Sequence, residues 1–243
     1  MAYSHEQLTR DMAKAWETPE TFYTQPFIKN ARKIKSERVT EIVAKEILDN
    51  FDNFRNGIKP VNRHEVGKSY FTPNHLKLAQ EAKAVDLNSK SRKEEWFAKK
   101  IHGKTFNIIG EIIDFQTPLY ASDYKKMGKI DLLSFNGHDL YILELKWKNS
   151  GETLLRCVLE AYTYYATIEP HKGHLFDDFR KQYPKIPATA KLRKGILVFD
   201  DCRAYKDYTC VNNPEVCKLV EKLEVEVFVL DAIGKNIVFP RQA

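Results

Sequence analysis

Over residues 1–89 the apolar positions recur at helical spacing. Leu8, Met12 and Trp16 fall at i, i+4 and i+8 and predict a first helix. In "SERVTEIVAKEILDNFDNF" Val39, Ile42, Val43, Ile47 and Phe51 line one side of a second helix, which Ser36 is placed to cap. "NGIKPVNRHEVGKS" reads as a loop on its Gly, Pro and Asn. "TPNHLKLAQEAKA" opens another helix, with Thr72 as cap and Pro73 in its first position.

The pattern changes near residue 90. "SRKEEWFAKKIHG" predicts a short amphipathic helix ending at Gly103, and "TFNIIGEIIDFQTPL" is apolar and β-branched enough for a strand. "GKIDLLSFNGHDLYILELKWKNS" predicts two strands joined by a hairpin. A strong helix follows in "ETLLRCVLEAYTYYATI", then a polar excursion over residues 169–194 whose His171 and His174 read as loop residues. Strand "GILVFDD", helix "NPEVCKLVEKLE" and strand "VEVFVLD" complete the series. This order predicts an α/β domain over residues 90–243, a mixed central sheet flanked by helices, preceded by a helical extension over residues 1–89.

Within the hairpin, charge stands where alternation predicts core. Side chains on a strand point to alternate faces, so Ile142, Glu144 and Lys146 share one face and Tyr141, Leu143, Leu145 and Trp147 the other. Asp131 stands between Ile130 and Leu132, and if the two strands pair through "FNGHD" it comes close to Glu144. Two carboxylates in a partly dry site raise each other's pKa, a cost that folding does not require. A divalent cation relieves it, and hard oxygen donors suit Mg²⁺. A lysine two residues beyond one of the carboxylates can reach a metal-bound water or a phosphate oxygen.

Composition adds little that is specific. With 43% hydrophobic and 30% charged residues the chain falls among ordinary globular proteins. A formal charge of +6 suits a polyanionic partner but does not single one out. The four cysteines contain no CxxC pair, which argues against a disulfide framework or a zinc site. No apolar h-region opens the chain and no run reaches membrane-spanning length, so the expectation is a cytoplasmic protein with reduced thiols and no membrane partner. "GKSY" at 67–70 lacks the glycine spacing of a phosphate-binding loop.

Asp131, twelve intervening residues and then Glu144-Leu145-Lys146, with an apolar run before each, resembles the PD-(D/E)XK nuclease superfamily. Ile130-Asp131 stands where that pattern nominally has Pro-Asp. The helix in "KEEWFAKKI", the helix after the lysine and the strand "GILVFDD" stand in the order the resemblance requires, over roughly residues 91–233. The resemblance implies a restriction-endonuclease-like core and a Mg²⁺-dependent nuclease, with Mn²⁺ as a substitute metal, acting on nucleic acid and most directly DNA. It implies that Asp131, Glu144 and the Leu145 backbone carbonyl bind the metal and that Lys146 orients or deprotonates the attacking water. It gives the acidic helix a carboxylate that completes the cluster. Glu94 shares a face with Phe97, Ala98 and Ile101 and is preferred over Glu95, which faces nearer solvent.

Other residues have plainer roles beside a place in the site. Glu111 fits the site and an exposed strand face equally. Arg156, Glu160 and Tyr164 run at i, i+4 and i+8, where some superfamily branches carry a Gln and a Tyr; with Glu160 in place of Gln, a salt-bridged solvated stripe is the preferred expectation. The basic run at 29–38 could track a phosphate backbone but is expected to be solvated surface. Two rival functions stand beside the nuclease: a catalytically silent nucleic-acid-binding or interaction module on the same fold, and a metal-free adaptor. The sequence leaves a homodimer open.

Overall fold

The computed structural model describes residues 4–29, 33–119, 128–231 and 236–238. Helices α1 (His5–Ala15) and α2 (Pro26–Lys29) are joined through a 3₁₀ turn at Pro19–Thr24. A two-residue hairpin, β1 (Lys33–Ile34) and β2 (Glu37–Arg38), leads into α3 (Val39–Asp49), α4 (Phe51–Gly57) and α5 (Asn74–Lys83). Then come α6 (Lys93–Ile101), β3 (Thr105–Phe106), β4 (Gly110–Pro118), β5 (Lys129–Phe135) and β6 (Leu140–Lys146). Helices α7 (Leu154–Ile168) and α8 (Lys172–Arg180) cross to β7 (Leu192–Phe199). Helices α9 (Arg203–Tyr208) and α10 (Pro214–Lys222) cross to β8 (Glu226–Leu230), and β9 (Ile237–Val238) closes the edge.

Strands β3 to β9 form one seven-stranded sheet in sequence order. The pairs from β3 to β6 are antiparallel, β6–β7 and β7–β8 are parallel, and β8–β9 is antiparallel. The mixed α/β architecture expected from the sequence is therefore present. Parallel neighbours need crossovers, and the helical segments after β6 and β7 supply them. Phe97 of α6 packs on Trp147 and Phe199, on the side of β6 that carries Leu143 and Leu145. Helix α7 covers the face that carries Glu144 and Lys146, so helices flank both sides of the sheet.

The N-terminal helices share the core of the sheet. Phe22, Phe27, Ile28 and Phe54 are fully buried in the same cluster as α7 and the strands. Phe54 stacks on Tyr162, Tyr23 meets Tyr164 edge to face, and Thr153 Oγ1 donates to the Ile28 carbonyl at 2.6 Å. Glu41 of α3, 7% exposed, accepts the backbone N–H groups of Glu215 and Val216 at 2.9 and 3.2 Å and so caps α10. Helix α7 is consequently enclosed on nearly every side, which explains its largely apolar sequence.

Local details differ from the sequence expectations. Ser36 lies in the turn of the β1–β2 hairpin, beside Lys35 at φ +56°, and α3 begins after Arg38 without a side-chain cap. Helix α5 begins at Asn74, with Pro73 in the cap position and Thr72 outside it. The single strand expected from "TFNIIGEIIDFQTPL" is broken into a tight β3–β4 hairpin. It turns over residues 107–109, and Gly110 (φ +75°) opens β4, where an added Cβ would sit 2.0 Å from the Phe135 carbonyl oxygen. His174 lies on helix α8, not in a loop: Leu175, Phe176 and Phe179 bury that helix within the polar excursion. Among the described residues no helix is long and apolar enough to cross a membrane, and all four cysteines are free.

Candidate functional site

The β5–β6 ladder sets the geometry. Its register pairs Leu132 with Leu143, so the next pair would be Asp131 with Glu144, and there the regular pairing stops. Beyond that point the Asp131 carboxylate takes over: Oδ2 accepts the Leu145 N–H at 3.0 Å, and Oδ1 accepts Gln116 Nε2 at 2.8 Å. Gln116 lies in β4 with φ +50°, a left-handed conformation rare for a non-glycine residue. Glu144 and Lys146 follow on one face of β6, 3% and 4% exposed.

Lys146 is the hub of the cluster. Its Nζ lies 2.5 Å from Glu144 Oε1, 3.1 Å from Glu152 Oε2 and 3.5 Å from Glu94 Oε1. Glu94 is set by its other oxygen, which accepts the Trp147 N–H at 2.9 Å. Glu95 turns away to pair with Lys99 at 2.6 Å and Arg92 at 3.5 Å. The structure thus brings together Asp131, Glu144, Lys146 and Glu94 and leaves Glu95 outside.

Helix α7 supplies the far wall. Thr153 caps it by accepting the Arg156 N–H at 3.3 Å. Arg156 pairs with Glu152 and, at 3.7 Å, with Glu160; Tyr164 Oη donates to Glu160 Oε1 at 2.9 Å. The stripe expected to be solvated is therefore buried: Glu160 is 8% and Tyr164 3% exposed, and the charge of Glu160 acts on both Asp131 and Glu144. Gly128, just before β5, leaves room for Tyr164: an added Cβ would lie 2.1 Å from its Oη and push the ring aside.

These contacts perturb the acids and the base. Burial pushes Asp131 up from 3.8 to about 6, against the opposing pull of Lys146. Burial, then the charges of Asp131 and Glu160, push Glu144 well above the carboxylate range. For Lys146 burial disfavours the charge, but Glu144, Asp131 and Glu94 outweigh it and hold the ammonium well above its ordinary range. Lys146 is thus a fixed cation in this state.

Carboxylate oxygens are the donors that a hard divalent cation takes. Five carboxylates (Glu94, Asp131, Glu144, Glu152, Glu160) face two cations, Lys146 and Arg156. One oxygen of Glu160 is buried without a hydrogen bond. Among the described residues no three His, Cys, Asp or Glu side chains already converge as a ligand set. The Lys146 ammonium sits among Glu94, Glu144 and Glu152.

A concavity of about 480 Å³ opens beside Glu94, lined by Arg92, Lys93, Trp147, Lys148 and Ser150. A larger cavity, about 610 Å³ around Lys194 and Tyr165, lies at the opposite end of β7 from the carboxylates and takes no part in this cluster. Glu111 pairs with Phe135 in register and with Lys185 by charge, at the far end of β5 from Asp131. Within the basic run at 29–38, residues 30–32 lie outside the described residues. Arg38 turns inward to Asn213 at 2.7 Å and Asp207 at 3.6 Å. His174 stacks on His64 at 4.3 Å and bonds Asn62, remote in sequence from the cluster.

Gln116 and Glu152 join the site without any sequence expectation, and Arg156 joins it although its stripe was expected to be solvated. Gln116 carries no sequence signal beyond its place in a strand, and Glu152 lies in the irregular segment before α7. No protein-family model, curated protein or solved structure matches the chain.

Proposed function

We propose that this protein is a divalent-metal-dependent nuclease on a restriction-endonuclease-like core, hydrolysing phosphodiester bonds in nucleic acid, with DNA as the first substrate to test. The observation that carries this reading is the meeting of Asp131, Glu144, Glu94 and Lys146 where the β5–β6 ladder ends. Asp131, Glu144 and the Leu145 carbonyl would hold Mg²⁺ or Mn²⁺, with Glu94 completing the set directly or through water. The bound cation supplies a more acidic water and neutralises charge developing on the phosphate. Lys146, held as an ammonium, donates to a phosphate oxygen and stabilises the transition state rather than removing a proton. Arg92, Lys93 and Lys148 line the adjoining concavity, where cations suit flanking phosphates.

One observation favours the silent-module reading. Both oxygens of Asp131 already accept hydrogen bonds, and Lys146 already holds three carboxylates. The deciding experiment incubates the protein with plasmid, linear and single-stranded DNA and with RNA, in Mg²⁺, Mn²⁺ or chelator. Cleavage is expected with either metal and is lost in Asp131→Ala and Glu144→Ala. Activity that survives excess chelator refutes the metal-dependent reading; metal-independent binding of DNA without cleavage selects the silent module.

A further inference from the structure

Three carboxylates from three different segments meet on one ammonium. Glu94 comes from α6, Glu144 from β6 and Glu152 from the irregular segment before α7. Lys146 Nζ lies within 3.5 Å of all three; it is buried with Glu144, while Glu94 and Glu152 are half-buried at the mouth of the cluster. Two of these carboxylates, Glu144 and Glu94, are those that the proposed function gives to the metal. An ammonium and a divalent cation compete for the same oxygens in a partly dry site, because their mutual repulsion is screened little there.

We propose that Lys146 is the internal counter-ion of the metal-free protein and competes with the divalent metal for Glu144 and Glu94. The inference rests on the metal-dependent reading and adds a regulatory step to it. With a metal on those two carboxylates the lysine would be released from them, and its ammonium would become available to a phosphate only then. Glu152, which is outside the proposed ligand set, already contacts Nζ at 3.1 Å and keeps the displaced ammonium at the site. Arg156 provides an internal comparison. It carries the same charge and touches Glu152 and Glu160, but has no contact with Glu144 or Glu94 among its ion pairs.

The test is calorimetric titration of the full chain with Mn²⁺ alone, in wild type, Lys146→Met, Lys146→Arg and Arg156→Met. Competition predicts that Lys146→Met binds Mn²⁺ about tenfold tighter or more, since an opposing charge leaves the oxygens themselves. Arg156→Met gains clearly less, and Lys146→Arg, which keeps the charge, binds no tighter than wild type. The midpoint of thermal unfolding without metal should fall in Lys146→Met and recover with Mn²⁺. If Lys146→Met does not fold, Lys146→Gln replaces it with the same expectation. Equal affinity in wild type and Lys146→Met, or equal gains in Lys146→Met and Arg156→Met, overturns the competition while leaving the metal site standing. Absence of Mn²⁺ binding in every protein instead overturns the metal reading, and the competition with it.

Discussion

Asp131→Asn tests whether the site carboxylate works against the fold. In the metal-free protein the carboxyl titrates at about 6 against 3.8 for an ordinary aspartate. A raised folded value means that the contribution to stability is fully present below the ordinary value and is lost as pH rises through about 6. Above that pH the ionised carboxylate opposes folding by about 3 kcal/mol. Asparagine removes the charge but keeps only one acceptor oxygen. Either the Leu145 N–H or Gln116 Nε2 then loses its partner, a loss of about 1 kcal/mol. The variant should therefore be about 2 kcal/mol more stable than wild type at pH 8. Relief of the repulsion on Glu144 adds to this. The advantage should shrink to below about 1 kcal/mol by pH 5, where the wild-type carboxyl is mostly protonated in the fold. Urea unfolding in chelator at both pH values measures it. In a parallel unfolding series without chelator, Mn²⁺ should raise the wild-type midpoint and leave that of the variant nearly unchanged. A variant less stable than wild type at pH 8 without metal refutes the reasoning and makes Asp131 a structural latch on Leu145.

Two further predictions follow. Lys146→Ala should lower cleavage by roughly a hundredfold or more, with Lys146→Arg a poor rescue because its planar fork has a different reach; cleavage at the wild-type rate would remove Lys146 from the chemistry. Glu41→Ala should destabilise the protein by about 1–2 kcal/mol by leaving the Glu215 and Val216 N–H groups without their acceptor. Unchanged urea unfolding would show that water caps α10 equally well.

The placement of the central residues was legible because strand periodicity is strict. Once β5 and β6 pair, Asp131, Glu144 and Lys146 have no freedom of face. Helix phase likewise separated Glu94 from Glu95, since only one of them shares the stripe of Phe97 and Ile101. The stripe of Arg156, Glu160 and Tyr164 misled for the converse reason. Polar residues at i and i+4 read locally as a solvated face, and only the long-range arrival of Tyr23 and the sheet encloses them. Ser36 and Thr72 have the chemistry of caps, but the neighbouring hairpin and Pro73 shift the helix starts away from them. Helix α8 escaped because three apolar residues carry its buried face amid a charged sequence.

The end of the ladder explains why the acids gather at one place. A strand pair that diverges leaves backbone N–H groups without carbonyl partners, and such groups must be satisfied when they are not in water. Here the Leu145 N–H goes to Asp131 and the Trp147 N–H to Glu94. Two carboxylates are thereby anchored to the backbone of one strand, by contacts that need neither metal nor lysine. Glu144 and Lys146 lie on that same strand, so the spacing among all four follows from β6. Such a frame keeps its shape when the charge at its centre changes, which is what exchange of an ammonium for a metal ion requires. The energetic burden then falls on the charges alone. It is reduced by protonation of Asp131 at low pH and by Lys146 in the metal-free protein; in the proposed enzyme the bound cation takes over that part.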